Sequence, residues 1–424
     1  MKKVFSIFFV LLVGTNCVLK AQWIPINENL SGLISCLAVS PNGASGSNIY
    51  AGTSYGVYLS TDNGTNWTAV NDGLTNSLTY PYTYVNSLFV NNSNIYAGIY
   101  GGVFLSTNNG TSWTILNKGL TSLNVHSIAV NGSNIFAGTD SNGVFLSTDN
   151  GSSWKAVNNG LNNLNTQRYI YVNSLVVNGS NIFAGISEFV GVYLSTNSGA
   201  NWNAVNNGLT STFVYALTFA GTKLFAGTNG GVFRSTNNGA DWNAVNDSLA
   251  ANSVLSFAFR TNGAGGTNLF AGTDNGVFLS TNNGAKWIAA NNGLTNTNIS
   301  SIVLNDQYLF AGTSNGVWRR PLSEIITGID NQRNNLPSNY SLQQNYPNPF
   351  NPTTTINFSI PKSGFVSIKV FDILGRKVTS LVNENKPVGN YKVEFNSSKL
   401  SSGIYFYRME SGSFSQTKKL IVLK

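Results

Sequence analysis

Histidine is almost absent from this 424-residue chain, cysteine and methionine occur twice each, and only 9% of the residues are charged. One histidine, His126, cannot build an imidazole-based metal cluster, and no Asp-rich calcium loop occurs. No metal site and no cofactor is therefore expected. Cys17 lies in an N-terminal leader, so the remainder of the chain holds one thiol and cannot form an internal disulfide. That thiol, Cys36, sits in the apolar run 33–39 and reads as a small buried hydrophobe. Long apolar runs are also missing, and none reaches the length that a membrane-spanning helix needs. The net charge of +8 misleads until it is divided. Residues 1–21 carry three lysines, residues 336–424 carry eleven basic against four acidic residues, and the remainder carries ten against twelve. The basic character belongs to the ends, and the middle offers no basic face for nucleic acid.

What is present is repetition. Ala-Gly pairs beginning at Ala51, Ala97, Ala137, Ala184, Ala226, Ala271 and Ala311 are each followed by a phrase like Gly191-Val192-Tyr193-Leu194-Ser195-Thr196. A period in the forties with short apolar runs and Asn-Gly turns marks a β-repeat that buries its faces against its neighbours. One copy gives four strands: Val172 to Val177 innermost, then Asn181 to Gly185, Gly191 to Ser195, and the Trp202 segment outermost. Six copies end in a Trp phrase, at Trp67, Trp113, Trp154, Trp202, Trp242 and Trp287. The seventh stops at Gly316-Val317-Trp318-Arg319-Arg320-Pro321, while Trp23-Ile24-Pro25-Ile26-Asn27-Glu28-Asn29-Leu30 supplies the missing phrase at the other end of the chain. A displaced fragment of this kind closes a ring and leaves only short, protected edges. The fold expected over residues 22–320 is a seven-bladed β-propeller, all-β and closed by its N-terminal strand.

Between the third and fourth strands stands Ser60-Thr61-Asp62-Asn63-Gly64-Thr65-Asn66-Trp67. This resembles the Asp-box, or BNR repeat, of sialidases, sortilin-type propellers, xyloglucanases and photosystem assembly factors. The residues carrying the pattern are Ser60, Asp62, Gly64 and Trp67, and again Asp149, Gly151 and Trp154. Asn108, Asn197, Asn237 and Asn282 replace the aspartate and can make the same turn. The resemblance implies a structural role for the box, on the face away from the active site. Activity must then be sought elsewhere. A sialidase needs converging arginines, but Arg234, Arg319 and Arg320 occupy outer-strand positions. No carboxylate pair suited to glycoside cleavage is legible. Asp140 and Asp274, between the second and third strands, read as turn residues, and His126 as an ordinary loop or strand-edge residue.

By family analogy, ligands meet a propeller on the face carrying the loops between strands two and three and between blades. Two of those loops are long. One includes Tyr80, Tyr82 and Tyr84, the other Arg168, Tyr169 and Tyr171. Tyr100, Glu188, Phe189, Phe213 and Tyr215 are expected on the same face. Aromatic rings beside amides suit sugar stacking or the anchoring of a protein partner, and this set is the candidate ligand site.

Both ends of the chain read as export signals. Met1-Lys2-Lys3 with the apolar run 4–13 is a secretory signal peptide, 1–21, with cleavage expected near Ala21-Gln22. Residues 321–340 read as a linker. Over 341–424, apolar alternation at 365–371, 391–395 and 404–408 gives a small Ig-like antiparallel β-sandwich. Asn345-Tyr346-Pro347-Asn348-Pro349-Phe350-Asn351-Pro352, Val370-Phe371-Asp372-Ile373-Leu374-Gly375, Leu400-Ser401-Ser402-Gly403-Ile404-Tyr405 and Lys418-Lys419-Leu420 resemble the type A C-terminal sorting domain of the type IX secretion system. That resemblance implies reading by the outer-membrane translocon, with Pro347, Asn348, Pro349, Phe350, Tyr405 and Lys419 in the signal and Gly375 and Gly403 as its turn glycines. The product is expected outside the cell or on its outer surface. The function expected is a non-catalytic binding propeller for a glycan or protein. An Asp-box-type glycoside hydrolase and a structural or adhesive surface component are the rivals.

Overall fold

Each repeat copy becomes one twisted four-stranded antiparallel sheet, and the copies stack face to face because neither face of a single sheet is polar. The computed structural model describes residues 22–42, 46–75, 83–161, 171–187, 190–261, 266–325, 337 and 339–424. The expected leader therefore lies outside the described residues, as do Tyr80, Tyr82, Arg168, Tyr169, Glu188 and Phe189. Seven four-stranded sheets form the blades. Blade four, for example, comprises Val172–Asn178, Asn181–Ile186, Gly191–Ser195 and Asn203–Ala204. Phe136 and Val144 of blade three pack with Val172, Ile182 and Trp202 of blade four in one buried cluster. Burial on both faces is why these strands read as continuous apolar runs rather than alternating ones. Each fully buried aromatic or aliphatic side chain contributes about 2 kcal/mol.

The outermost strand is shorter than the sequence suggests and begins after the tryptophan. In blade four the Trp202 N–H donates to Asn159 O at 2.9 Å and its indole N–H to Val157 O at 2.7 Å, both in the preceding blade. The residue is committed to the seam between blades and not to its own sheet. The same indole bond recurs from Trp23, Trp67, Trp113, Trp154, Trp242 and Trp287, at 2.6 to 2.8 Å.

Blade seven shows the ring closure. Ile299–Leu304, Tyr308–Thr313 and Gly316–Pro321 are joined by Ile24–Pro25, which pairs through Ile24↔Arg319 and Pro25↔Trp318. Trp23 then bonds Ala290 of blade six, and Trp67 of blade one bonds Ile26. A second conserved contact is an asparagine clasp. Asn27, Asn71, Asn117, Asn158, Asn206, Asn246 and Asn291 each accept, through Oδ1, the N–H of a valine that follows the glycine opening the third strand, at 2.7 to 3.0 Å. Two residues after the clasp stands a glycine in five of the seven phrases, such as Gly160 at φ +84°, where a Cβ would collide with the Trp202 carbonyl oxygen, and Asn29 and Ser248 hold the same left-handed position in the other two. The Trp-x-x-x-Asn-x-x-Leu phrase is thus one contact device repeated seven times, with Gly before the Leu in five copies.

The propeller unit runs to Ile325, five residues past its expected end. A helical turn over 322–325 follows the last strand, with Leu322 and Ile325 buried and Leu322 N–H bonded to Gln307 O at 2.9 Å. The second unit is a sandwich of two sheets. One contains Ser341–Leu342, Thr353–Ile360 and Gly389–Asn396, the other Lys377–Lys386, Gly364–Phe371, Gly403–Ser411 and Phe414–Val422. Gly375 lies in a turn at φ +77°. Gly403 does not: it is the first residue of a strand, paired with Val422, because the turn before it closes earlier, at 397–400, where Leu400 N–H bonds Ser397 O at 2.8 Å. Among the described residues no helix is long and apolar enough to cross a membrane.

Candidate functional site

Every inner strand of the propeller is bulged after its first residue. The extra residues, in blade order, are Ser35, Asn86, His126, Asn173, Tyr215, Leu255 and Ser300. A bulge re-aims the side chain it carries. Ser35 Oγ donates to Val85 O, Asn86 Nδ2 to Val125 O at 3.0 Å, Asn173 Nδ2 to Val214 O at 2.8 Å and Ser300 Oγ to Ile34 O at 2.6 Å. These bonds tie neighbouring blades together along their innermost edges. Three positions depart from the series: Leu255 carries no polar group, Tyr215 packs on Phe213, and His126 turns to another partner. Its Nδ1 meets the Tyr171 hydroxyl at 3.0 Å, with the rings 4.4 Å apart, and Ser127 takes over the contact to Val172 O at 3.4 Å.

Burial pushes His126 down to about 4, against the opposing pull of Asp140. Its Nε2 is buried without a hydrogen-bond partner among the described residues. Burial likewise raises the Tyr171 phenol to about 12, with Asp140 and Tyr84 acting in the same direction. The pair is therefore neutral at pH 7. Because the unfolded histidine binds its proton near 6.5 and the folded one near 4, the unfolded state gains protons first as the pH falls. Stability is then lost between those values, by about 2 kcal/mol once partial solvent exposure is allowed for. Urea unfolding at pH 7 and pH 4.5 should show this slope reduced in His126→Gln. An unchanged difference between the two pH values would refute it.

Asp140 faces this pair from the loop between strands two and three. Its Oδ2 accepts from Asn124 Nδ2 at 2.9 Å, and its Oδ1 from Ser141 Oγ at 3.0 Å and Ser122 Oγ at 3.3 Å. A groove of about 280 Å³ opens here, walled by Tyr100, Asp140, Ser141 and the segment 121–124, whose Leu123 is its one aliphatic residue. Tyr100 N–H bonds Tyr84 O at 3.3 Å and Asn86 Nδ2 bonds Asn124 Oδ1 at 2.9 Å, which joins the groove to the bulge. Tyr84 and Tyr100 are each 40% exposed. Of the residues expected in the ligand site, Tyr84, Tyr100 and Tyr171 come together across blades two to four. Phe213 and Tyr215 pair with each other on blade five, with centroids 4.8 Å apart.

Sequence reasoning passed over Asp140 as a turn residue and His126 as an ordinary one. Both belong to the cluster. The available signal was the repeat itself, since His126 stands eleven residues before Ala137, where the copies on either side carry Asn86 and Asn173. Asp274 does behave as a turn residue and accepts the Asn252 N–H at 3.2 Å.

The turns resembling the Asp-box lie at the opposite end of the third strand. Asp149 Oδ1 accepts from Ser147 Oγ at 2.7 Å and from Ser153 N–H at 2.9 Å, and Gly151 N–H bonds Ser147 Oγ at 2.8 Å. Hydrogen bonds from Ser153 and then Ser147 hold its carboxyl down to about 2. Asp62 makes the same bonds with Ser60 and Asn66, alongside Gly64, and the asparagine versions reproduce them, as Asn237 does with Ser235 and Asp241. Only an Oδ1 acceptor is needed, which explains why the substitution is free. The arginines do not converge. Arg234 reaches Asn283 O at 2.9 Å and Arg319 reaches Asn63 O at 2.7 Å, each latching onto the next blade's turn. Burial raises the Cys36 thiol to about 12, in keeping with a packing role.

In the sandwich, Phe350 is buried and packs on Phe395 at 5.9 Å, while its N–H bonds Ile421 O at 3.1 Å. Asn348 Oδ1 accepts Ile421 N–H at 2.8 Å, and Asn345 bonds Tyr407, itself buried, at 2.9 Å. Tyr405 bonds Ser401 O at 3.1 Å. Pro347, Pro349 and Lys419 remain exposed. Residues 344–423 match the secretion system C-terminal sorting domain. The chain carries a type IX sorting tail. It is therefore exported, to the outer surface or the medium.

The propeller matches solved propellers in fold. The extracellular domain of the one component system BT4673 from B. thetaiotaomicron aligns at TM-score 0.54 and 16% identity, over 85% of this chain and 48% of that one. This chain thus spans about half the length of that neighbour. YCF48 from Cyanidioschyzon merolae aligns at 0.54 and 15%, over 71% and 99%, and the GH74 xyloglucanase of Xanthomonas campestris at 0.53 and 14%, over 79% and 59%. At such identities the likeness shows the fold alone. No curated protein matches the chain in sequence.

Proposed function

We propose that the exported propeller is a non-catalytic binding module that takes a glycan or a protein on the face carrying the interblade loops. The observation supporting this reading is the asymmetric groove at blades two and three. Tyr100, Asn124 and Asp140 line it, and Tyr84 and the His126–Tyr171 pair lie close by, whereas the bulge positions of blades one and seven hold serines spent on neighbouring carbonyls. Exposed rings beside amide and hydroxyl groups suit a sugar ring or an anchoring side chain.

The test is to incubate the mature chain with a panel of soluble polysaccharides and to score gel retardation and released reducing ends together. Retardation without release is expected, and Tyr84→Ala with Tyr171→Ala should weaken it at least tenfold. Release of reducing ends would make the protein a glycoside hydrolase. Retardation indifferent to both tyrosines would move the site elsewhere.

A further inference from the structure

The groove between blades two and three has an electrostatic character that narrows its ligand. Asp140 is its one carboxylate among the described residues, and every donor it receives there is neutral: Asn124, Ser141 and Ser122. The ion pairs among the described residues all lie in the sandwich. An ionised carboxylate offers about four acceptor sites, and the described residues fill three, which leaves room on Oδ2 among them. His126 supplies no counter-charge, since burial keeps it neutral at pH 7. The half-exposed rings of Tyr84 and Tyr100 add π-faces, which attract cations and stack on sugar C–H groups. The remaining wall is mostly hydroxyl and amide, from Thr121, Ser122, Asn124 and Ser141, with Leu123 its one aliphatic residue. That lining suits a hydroxylated ring better than the aliphatic stem of a lysine.

We propose that the groove binds a glycan carrying free, protonated amino groups, with an ammonium seated on Asp140 and the pyranose against Tyr100. This rests on the binding reading above and specifies its ligand. Charge-assisted hydrogen bonds are about twice as strong as neutral ones, so the amine carries the selectivity. Acetylating it removes the charge while leaving the ring in place.

The test compares glucosamine oligomers with N-acetylglucosamine oligomers of equal length on the mature chain, by affinity electrophoresis. Glucosamine oligomers should bind at least tenfold more tightly. Asp140→Asn should erase that preference while the chain keeps a cooperative thermal transition, and 1 M NaCl should erase it in the unaltered protein. Equal binding of both oligomers, or an Asp140→Asn variant with intact preference, overturns the amine assignment while the binding reading stands. Binding of neither oligomer, with Tyr84-dependent retention by another polysaccharide, overturns it in the same way. An Asp140-dependent complex with oligolysine and none with any glycan overturns the glycan class.

Discussion

Replacing Trp23 with alanine is expected to lower the unfolding free energy of the propeller by about 4 kcal/mol, as large core truncations do. The indole is 1% exposed and sits between blades six and seven. Its N–H donates to Ala290 O at 2.6 Å, and the backbone N–H of the same residue to Asn292 O at 2.8 Å. Arg320 also donates to Ala290 O, at 3.0 Å, so the carbonyl stays satisfied and the cost is packing rather than an orphaned acceptor. What distinguishes Trp23 from the other seam tryptophans is connectivity. The other blades are held to their neighbours by continuous chain, whereas residues 23–27 reach blade seven only through noncovalent contacts. Trp154→Ala, at an interior seam, removes similar packing and leaves the ring closed. Both variants should lose stability in denaturant titration, but only Trp23→Ala should also release the N-terminal segment to limited proteolysis. Equal proteolysis of the two would show that closure does not depend on this residue.

The second large effect belongs to the sorting tail. Phe350→Ala should destabilise the sandwich by about 3 kcal/mol, because the ring is 2% exposed in a core it shares with Phe395, Ile356 and Val422. Net stabilities of small domains are only about 5–15 kcal/mol, so this is a sizeable fraction. The chain divides into two compact units at 325/326, and the propeller's own melting transition should stay where it was. Export should fall and the protein should accumulate in the periplasm. Lys419 separates recognition from folding, since its side chain is exposed and Lys419→Ala removes charge without removing core. Thermal melts with cell fractionation decide between them. Normal surface delivery of Phe350→Ala with a lowered melting temperature would show that the translocon does not need the folded sandwich.

The fold was legible because repetition overdetermines it. Seven Ala-Gly phrases, six Trp phrases and one displaced seventh specify blade number, strand order and closure, and the structure follows them to within a residue or two in the example blade. The misjudged outer strand has a local cause. Trp202 has the apolar character of a strand residue, yet its N–H points into the neighbouring blade, and no pattern along one chain encodes which blade receives a bond. The same limit hid the asparagine clasp, whose recurrence is plain in the sequence and whose partner fourteen residues away is not.

The site divides along the same line. Composition and spacing put tyrosines on the loop-bearing face, and Tyr84, Tyr100 and Tyr171 are there. Asp140 and His126 were discounted because, taken singly, a loop aspartate and a lone histidine are common. Only the tertiary packing, with the bulge that turns His126 to Tyr171 of the next blade and the groove that sets Asp140 beside Tyr100, places them against those tyrosines. Sequence by itself determined the seven blades, the ring closure and the sorting tail, because each rests on short-range patterns repeated or matched as written. Tertiary structure alone decided which polar groups share a groove and in what charge state, because burial and cross-blade contact are properties of residues some forty positions apart.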